Sequence, residues 1–160
     1  MTIKVGDKVP SVKIKHMTKD GVKDITTDEI FGGKKVALFA LPGAFTPTCS
    51  AKHLPGFVQN AAAIKGKGVS TIACLSVNDA FVMDAWGKNQ NVGDKVQMLA
   101  DGSADFTKAL GLELDLTANG MGMRSKRYSM LVEDGTVKTL NVEKPGAFEV
   151  SNAETMLKQA

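Results

Sequence analysis

The sequence predicts an α/β fold, a central mixed sheet flanked by helices, and three observations carry that expectation. Two continuous apolar runs, residues 35–41 and 69–77, read as buried strands. Between them lie Leu54, Phe57, Val58, Ala61 and Ala62, spaced as one face of a helix, so strand, helix and strand form a βαβ unit with parallel strands. Later, two strand-like runs, 128–133 and 136–142, flank Asp134-Gly135, a two-residue hairpin signal that makes this part antiparallel.

Each element follows in order. Pro42-Gly43 stops the first strand, and Gly66 and Gly68 end the helical stretch. After the second strand, Asn78 or Asp79 is placed to cap a helix through Phe81, Val82, Ala85 and Trp86. Residues 96–100 read as a further strand and 104–110 as a short helix. Ser151-Asn152-Ala153-Glu154 reads as a capping box opening a final helix. This order corresponds to a thioredoxin-like three-layer arrangement.

The 160 residues suit one domain spanning 1–160, without repeat, linker or low-complexity tract. No apolar run approaches the ~18 residues of a membrane span, so no membrane partner is expected. The first residues lack the h-region of a signal peptide and the Arg/Ser bias of a transit peptide, which makes the cytoplasm the expected location, with a mature organellar form the other option. A net charge of +3, dispersed along the chain, argues against nucleic acid. Two histidines and no clustered carboxylates imply no metal, and neither haem nor nucleotide is implied. Two cysteines without a Cys-x-x-Cys spacing build no disulfide scaffold. In a reducing compartment each is either buried filler or a reactive thiol.

The loop Pro42-Gly43-Ala44-Phe45-Thr46-Pro47-Thr48-Cys49 lies beyond the carboxyl end of the first buried strand, where open α/β sheets place their sites. Thr46 suits an N-cap and Pro47 the first helical position. Cys49 then falls in the first turn, where unpaired amides and the helix dipole favour negative charge, and thiolate is the nucleophilic form. Filler at a helix start is the competing reading of Cys49. His53, four residues on, shares its helix face, so a Cys–His pair stands beside a supporting or purely structural role.

The spacing Pro42-x-x-x-Thr46-x-x-Cys49 resembles the peroxiredoxin active-site motif. The string from residue 42 through His53-Leu54-Pro55-Gly56-Phe57, then residues 74–83, Arg127-Tyr128-Ser129-Met130 and Gly146-Ala147-Phe148, resemble the type II plant and peroxiredoxin-five-like branch. The resemblance implies that Cys49 attacks peroxide and becomes a sulfenic acid. It implies that Thr46 contacts the peroxide, that Pro42 shields the thiolate, and that Arg127 fixes thiolate and peroxide oxygens. Surface charge is the other reading of Arg127, and Arg124 is the fallback arginine.

Type II relatives carry a cysteine where Cys74 stands, and the resemblance suggests it as a resolving thiol, although a mid-strand cysteine needs local unwinding to reach a helix start. Otherwise glutathione with glutaredoxin, or thioredoxin, regenerates Cys49. A homodimer is expected by the same resemblance, with Phe45 and Phe81 as interface candidates and core packing as their alternative. The expected activity is reduction of hydrogen peroxide and small organic hydroperoxides. A thiol–disulfide reductase, and a peroxide-sensing relay or holdase using the same thiol, are the alternatives.

Overall fold

The computed structural model describes residues 2–160; Met1, the first residue of the expected 1–160 domain, lies outside the described residues. Among the described residues, nine strands and six α-helices follow one another as β1 (Lys13–Thr18), β2 (Gly21–Thr26), α1 (Thr27–Phe31), β3 (Lys35–Ala40), α2 (Leu54–Gln59), α3 (Ala61–Lys65), β4 (Thr71–Ser76), α4 (Ala80–Asn89), β5 (Gln97–Ala100), α5 (Asp105–Leu110), β6 (Glu113–Leu116), β7 (Gly122–Ser125), β8 (Tyr128–Glu133), β9 (Thr136–Val142) and α6 (Ala153–Gln159). A π-helical turn, Cys49–His53, precedes α2. Seven strands form one sheet in the order β2-β1-β5-β4-β3-β8-β9, and β6 with β7 forms a separate ribbon.

The middle of the sheet, β3-β4-β5, is parallel and β8 pairs antiparallel with β9, as the apolar runs and the hairpin signal predict, and β8 also joins β3 antiparallel. Strand alternation splits the core into two layers. Ala37, Phe39, Ile72 and Cys74 face Leu54, Phe57, Ile64 and Trp86 on one side. Val36, Leu38, Ala73 and Leu75 face Phe31, Phe106 and Leu110 on the other. Asp134 and Gly135 both have positive φ, 46° and 78°, the conformation a two-residue hairpin with the sheet's twist demands.

Four expectations are corrected. The stretch after Cys49 is not one regular helix, because Pro55 cannot donate to Ala51 and its ring crowds that carbonyl. The chain widens ahead of it into the π turn, where the Leu54 amide donates to the Cys49 carbonyl, and it breaks again at Asn60. Ala62 consequently points to solvent. The last helix is capped by Asn152, whose side chain accepts from the Thr155 amide, so it is not opened by a Ser151 capping box. Finally, β1, β2 and the β6–β7 ribbon were not anticipated. Asp79 caps α4, one of the two options left open.

Candidate active site

The site forms where β3 ends. Register pairs Ala40 with Tyr128, and because β8 runs antiparallel to β3, Arg127 arrives level with the loop that leaves β3. Leu54 and Phe57, buried against Phe39, anchor the π turn on the sheet below. The Arg127 Nη2 atom donates to Cys49 Sγ at 3.1 Å. Its Nη1 donates to His53 Nδ1 at 2.8 Å. Cys49 and His53 are fully buried.

His53 is fixed by what surrounds it. Its Nε2 lies 3.0 Å from the Ser151 carbonyl, which only accepts, so Nε2 carries the proton and Nδ1 is the acceptor for Arg127. Burial, reinforced by the Arg127 charge, pushes the His53 pKa down to about 3 and keeps the ring neutral. Both ring nitrogens are thereby engaged away from the sulfur, which removes the Cys–His pair of the protease kind and leaves the supporting placement. Phe39, Phe57 and Phe148 surround the ring at 5.0, 5.7 and 5.0 Å.

Thr46 does not cap with its side chain. Its hydroxyl donates back to the Gly43 carbonyl at 2.7 Å, and its own carbonyl accepts from Ser50. Pro47 does occupy the first helical position. Pro42, Thr48, Lys126, Arg127 and Gly146 line a small cavity of about 110 Å³. A larger groove of about 620 Å³, bordered by His16, Asp84 and Met98, lies away from the cysteines. Arg124 is tied to the Pro42 carbonyl at 3.1 Å and the Met121 carbonyl at 2.9 Å, so it braces the loop while Arg127 meets the thiol.

Cys74 is fully buried in the central strand β4, opposite Phe39 on one neighbour and Met98 on the other. Burial, and then the nearby Cys49, push its pKa well up, an effect Arg127 only partly offsets. Both cysteines are free thiols in the same apolar layer. Phe45 and Phe81 resolve towards the surface, at 53% and 69% exposure. The residues missed from sequence are Glu143 and Ser151, a buried pair joined at 2.7 Å. In the sequence Ser151 belongs only to a cap pattern, and Glu143 carries no motif.

The redoxin family pattern matches residues 4–157. The chain is 52% identical over 161 residues to the chloroplastic peroxiredoxin-2E of Arabidopsis thaliana, covering 98% of this chain and 69% of that protein. It is 49% identical over 157 residues to peroxiredoxin-2B of the same plant, covering 98% and 97%. Reduced Prx3 from Vibrio vulnificus, solved in complex with hydrogen peroxide, superimposes with a TM-score of 0.95 at 55% identity over 98% of each chain. These similarities define the class, redoxins of thioredoxin-like fold. Within it the chain belongs to the type II peroxiredoxins, which are thiol peroxidases.

Proposed function

We propose that this peroxiredoxin reduces hydrogen peroxide and small organic hydroperoxides with Cys49 as the attacking thiol. The observation that carries the reading is the 3.1 Å contact between the Arg127 guanidinium and the buried Cys49 sulfur at the end of β3. The guanidinium donors that meet the sulfur also lie where charge develops on the peroxide. The sulfur attacks one peroxide oxygen, an S–O bond forms as O–O breaks, and hydroxide or alkoxide leaves and takes a proton. Cysteine is oxidised to sulfenic acid, and peroxide is reduced to water or alcohol. Thr46, whose proton goes to Gly43, is left with lone pairs to accept from a peroxide O–H. Pro42 lines, together with Arg127, the small cavity of about 110 Å³ beside the site, in keeping with a shielding role for this proline.

For the return step, a thiol attacks the sulfenic sulfur, water leaves, and a second thiol releases the mixed disulfide. Glutathione with glutaredoxin, or thioredoxin, is the reductant class proposed here. Burial of Cys74 in a central strand and its raised pKa favour such an external thiol over Cys74. A homodimer through the exposed Phe45 and Phe81 is part of the same proposal.

Intact mass with peptide mapping, after one equivalent of hydrogen peroxide, tests the reading. Oxygen gained at Cys49 alone supports external resolution. Loss of two hydrogens with a Cys49–Cys74 link transfers resolution to Cys74. No rapid change at Cys49 defeats the proposal.

A further inference from the structure

We propose that Glu143 is a positioning residue for the peroxide reaction, closing loop 143–151 into a clasp that aims Arg127 at Cys49 through His53. The inference rests on the peroxidase reading of Cys49. One carboxylate oxygen, Oε2, accepts from the amides of Glu149, Val150 and Ser151, each at 2.8 Å, and from the Ser151 hydroxyl at 2.7 Å. Three successive amides turned onto one carboxylate make a closed anion nest, here filled by the chain's own side chain. The wrap sets the Ser151 carbonyl against His53 Nε2, which fixes the tautomer, and Nδ1 then holds Arg127 so that its other nitrogen meets the sulfur. Phe148, from the same loop, lies over both His53 and the Arg127 guanidinium, the latter 5.8 Å from its ring centre.

Glu143 also holds Arg127 by its backbone. It directly follows β9 as Arg127 directly precedes β8, and its amide donates to the Arg127 carbonyl at 2.9 Å. The rest of the loop does little for the fold, since Lys144, Pro145, Gly146, Glu149 and Val150 are exposed. Its buried bonds all lead towards the reacting sulfur, and that direction marks a site support rather than a core element.

The test compares Glu143→Ala and Glu143→Gln with the unsubstituted protein, each alone and with Arg127→Ala. Cys49 oxidation is followed in stopped flow through the single Trp86, which donates to Ser50 in the same turn. The expected result is a loss of about tenfold in the peroxide rate constant for Glu143→Ala, less for Glu143→Gln, and under twofold change from either when Arg127 is already alanine. Nitrogen-15 spectra should show one His53 tautomer in the unsubstituted protein and a mixture in Glu143→Ala. Equal rate losses in both Arg127 backgrounds, or an unchanged tautomer, would overturn the clasp. If Glu143→Ala does not fold, Glu143→Gln and Ser151→Ala carry the same comparison. Should the unsubstituted protein leave Cys49 unoxidised, the peroxidase reading fails, while the tautomer spectra still decide whether the clasp orients His53.

Discussion

The two terminal nitrogens of Arg127 serve different partners, one a sulfur and the other an imidazole. A guanidinium does this with a rigid fork, whereas an ammonium is a single point of charge. Arg127→Ala is therefore expected to slow peroxide attack by about 10²–10³, the usual cost of removing a preorganised donor, and Arg127→Lys to recover little of it. Stopped-flow oxidation beside a thermal melt checks this, and a large Tm loss with normal peroxide kinetics would return Arg127 to a structural role. His53 stays neutral down to about pH 3, so the peroxide rate should show no inflection at the ordinary histidine value of ~6.5. At Cys74, serine should leave the first peroxide turnover intact while costing roughly 1–3 kcal/mol, because a hydroxyl is buried where a thiol fitted.

Among the elements, the loop from β3 to the π turn depends on the smallness of Gly43. A Cβ there would stand 2.6 Å from the Arg124 Nη1 atom and 3.3 Å from the Thr46 methyl. Gly43→Ala should displace Arg124 from the Pro42 carbonyl and slow peroxide attack more than it lowers stability, measured by the same two assays. At the other end, Asn152→Ala removes the cap of α6 and should cost about 1 kcal/mol in denaturant unfolding. The elements legible in sequence were those with an apolar run, a strict turn or a cap: β3, β4, β5, the β8–β9 hairpin, and helices α4, α5 and α6. β1 was hidden because only Ile14 is buried among Lys13, Lys15 and their neighbours, leaving almost no alternation to read. The π turn was hidden because a proline sets it from downstream. For the candidate site, Pro42, Thr46 and Cys49 stand out through a motif with fixed spacing, and Arg127 only through the resemblance of residues 127–130. Glu143 was not, since its importance comes from a hairpin register that places it across from Arg127.

At the scale of the whole molecule, the site is drawn from segments near residues 42–49, 124–127 and 143–151, brought to one end of the sheet by β3, β8 and β9. Stability should follow pH accordingly. The folded His53 pKa lies below its ordinary value, so between about pH 6.5 and 3 the unfolded chain binds the extra proton. Stability from this group is complete above pH 6.5 and falls as pH drops through that window, by at most about 1.4 kcal/mol per pH unit. Glu143 adds in the same direction at lower pH. Burial alone would raise its pKa, but the Ser151 hydroxyl and three amides outweigh burial and hold it below the ordinary range. Urea unfolding from pH 8 to 4 checks the sign, and His53→Asn should flatten the upper part of the curve. For the proposed dimer, Phe81→Glu should shift sedimentation towards monomer.

Cys74 also gives the protein a built-in clock. Its sulfur is sealed between two core strands, so a thiol reagent in excess can label it only when the centre of the sheet opens. The labelling rate in the Cys49→Ser background should thus follow the opening of the innermost strand, with no added probe and no denaturant. Conditions that loosen only the loop around Cys49 should leave that rate unchanged, which separates local motion around that turn from failure of the fold itself.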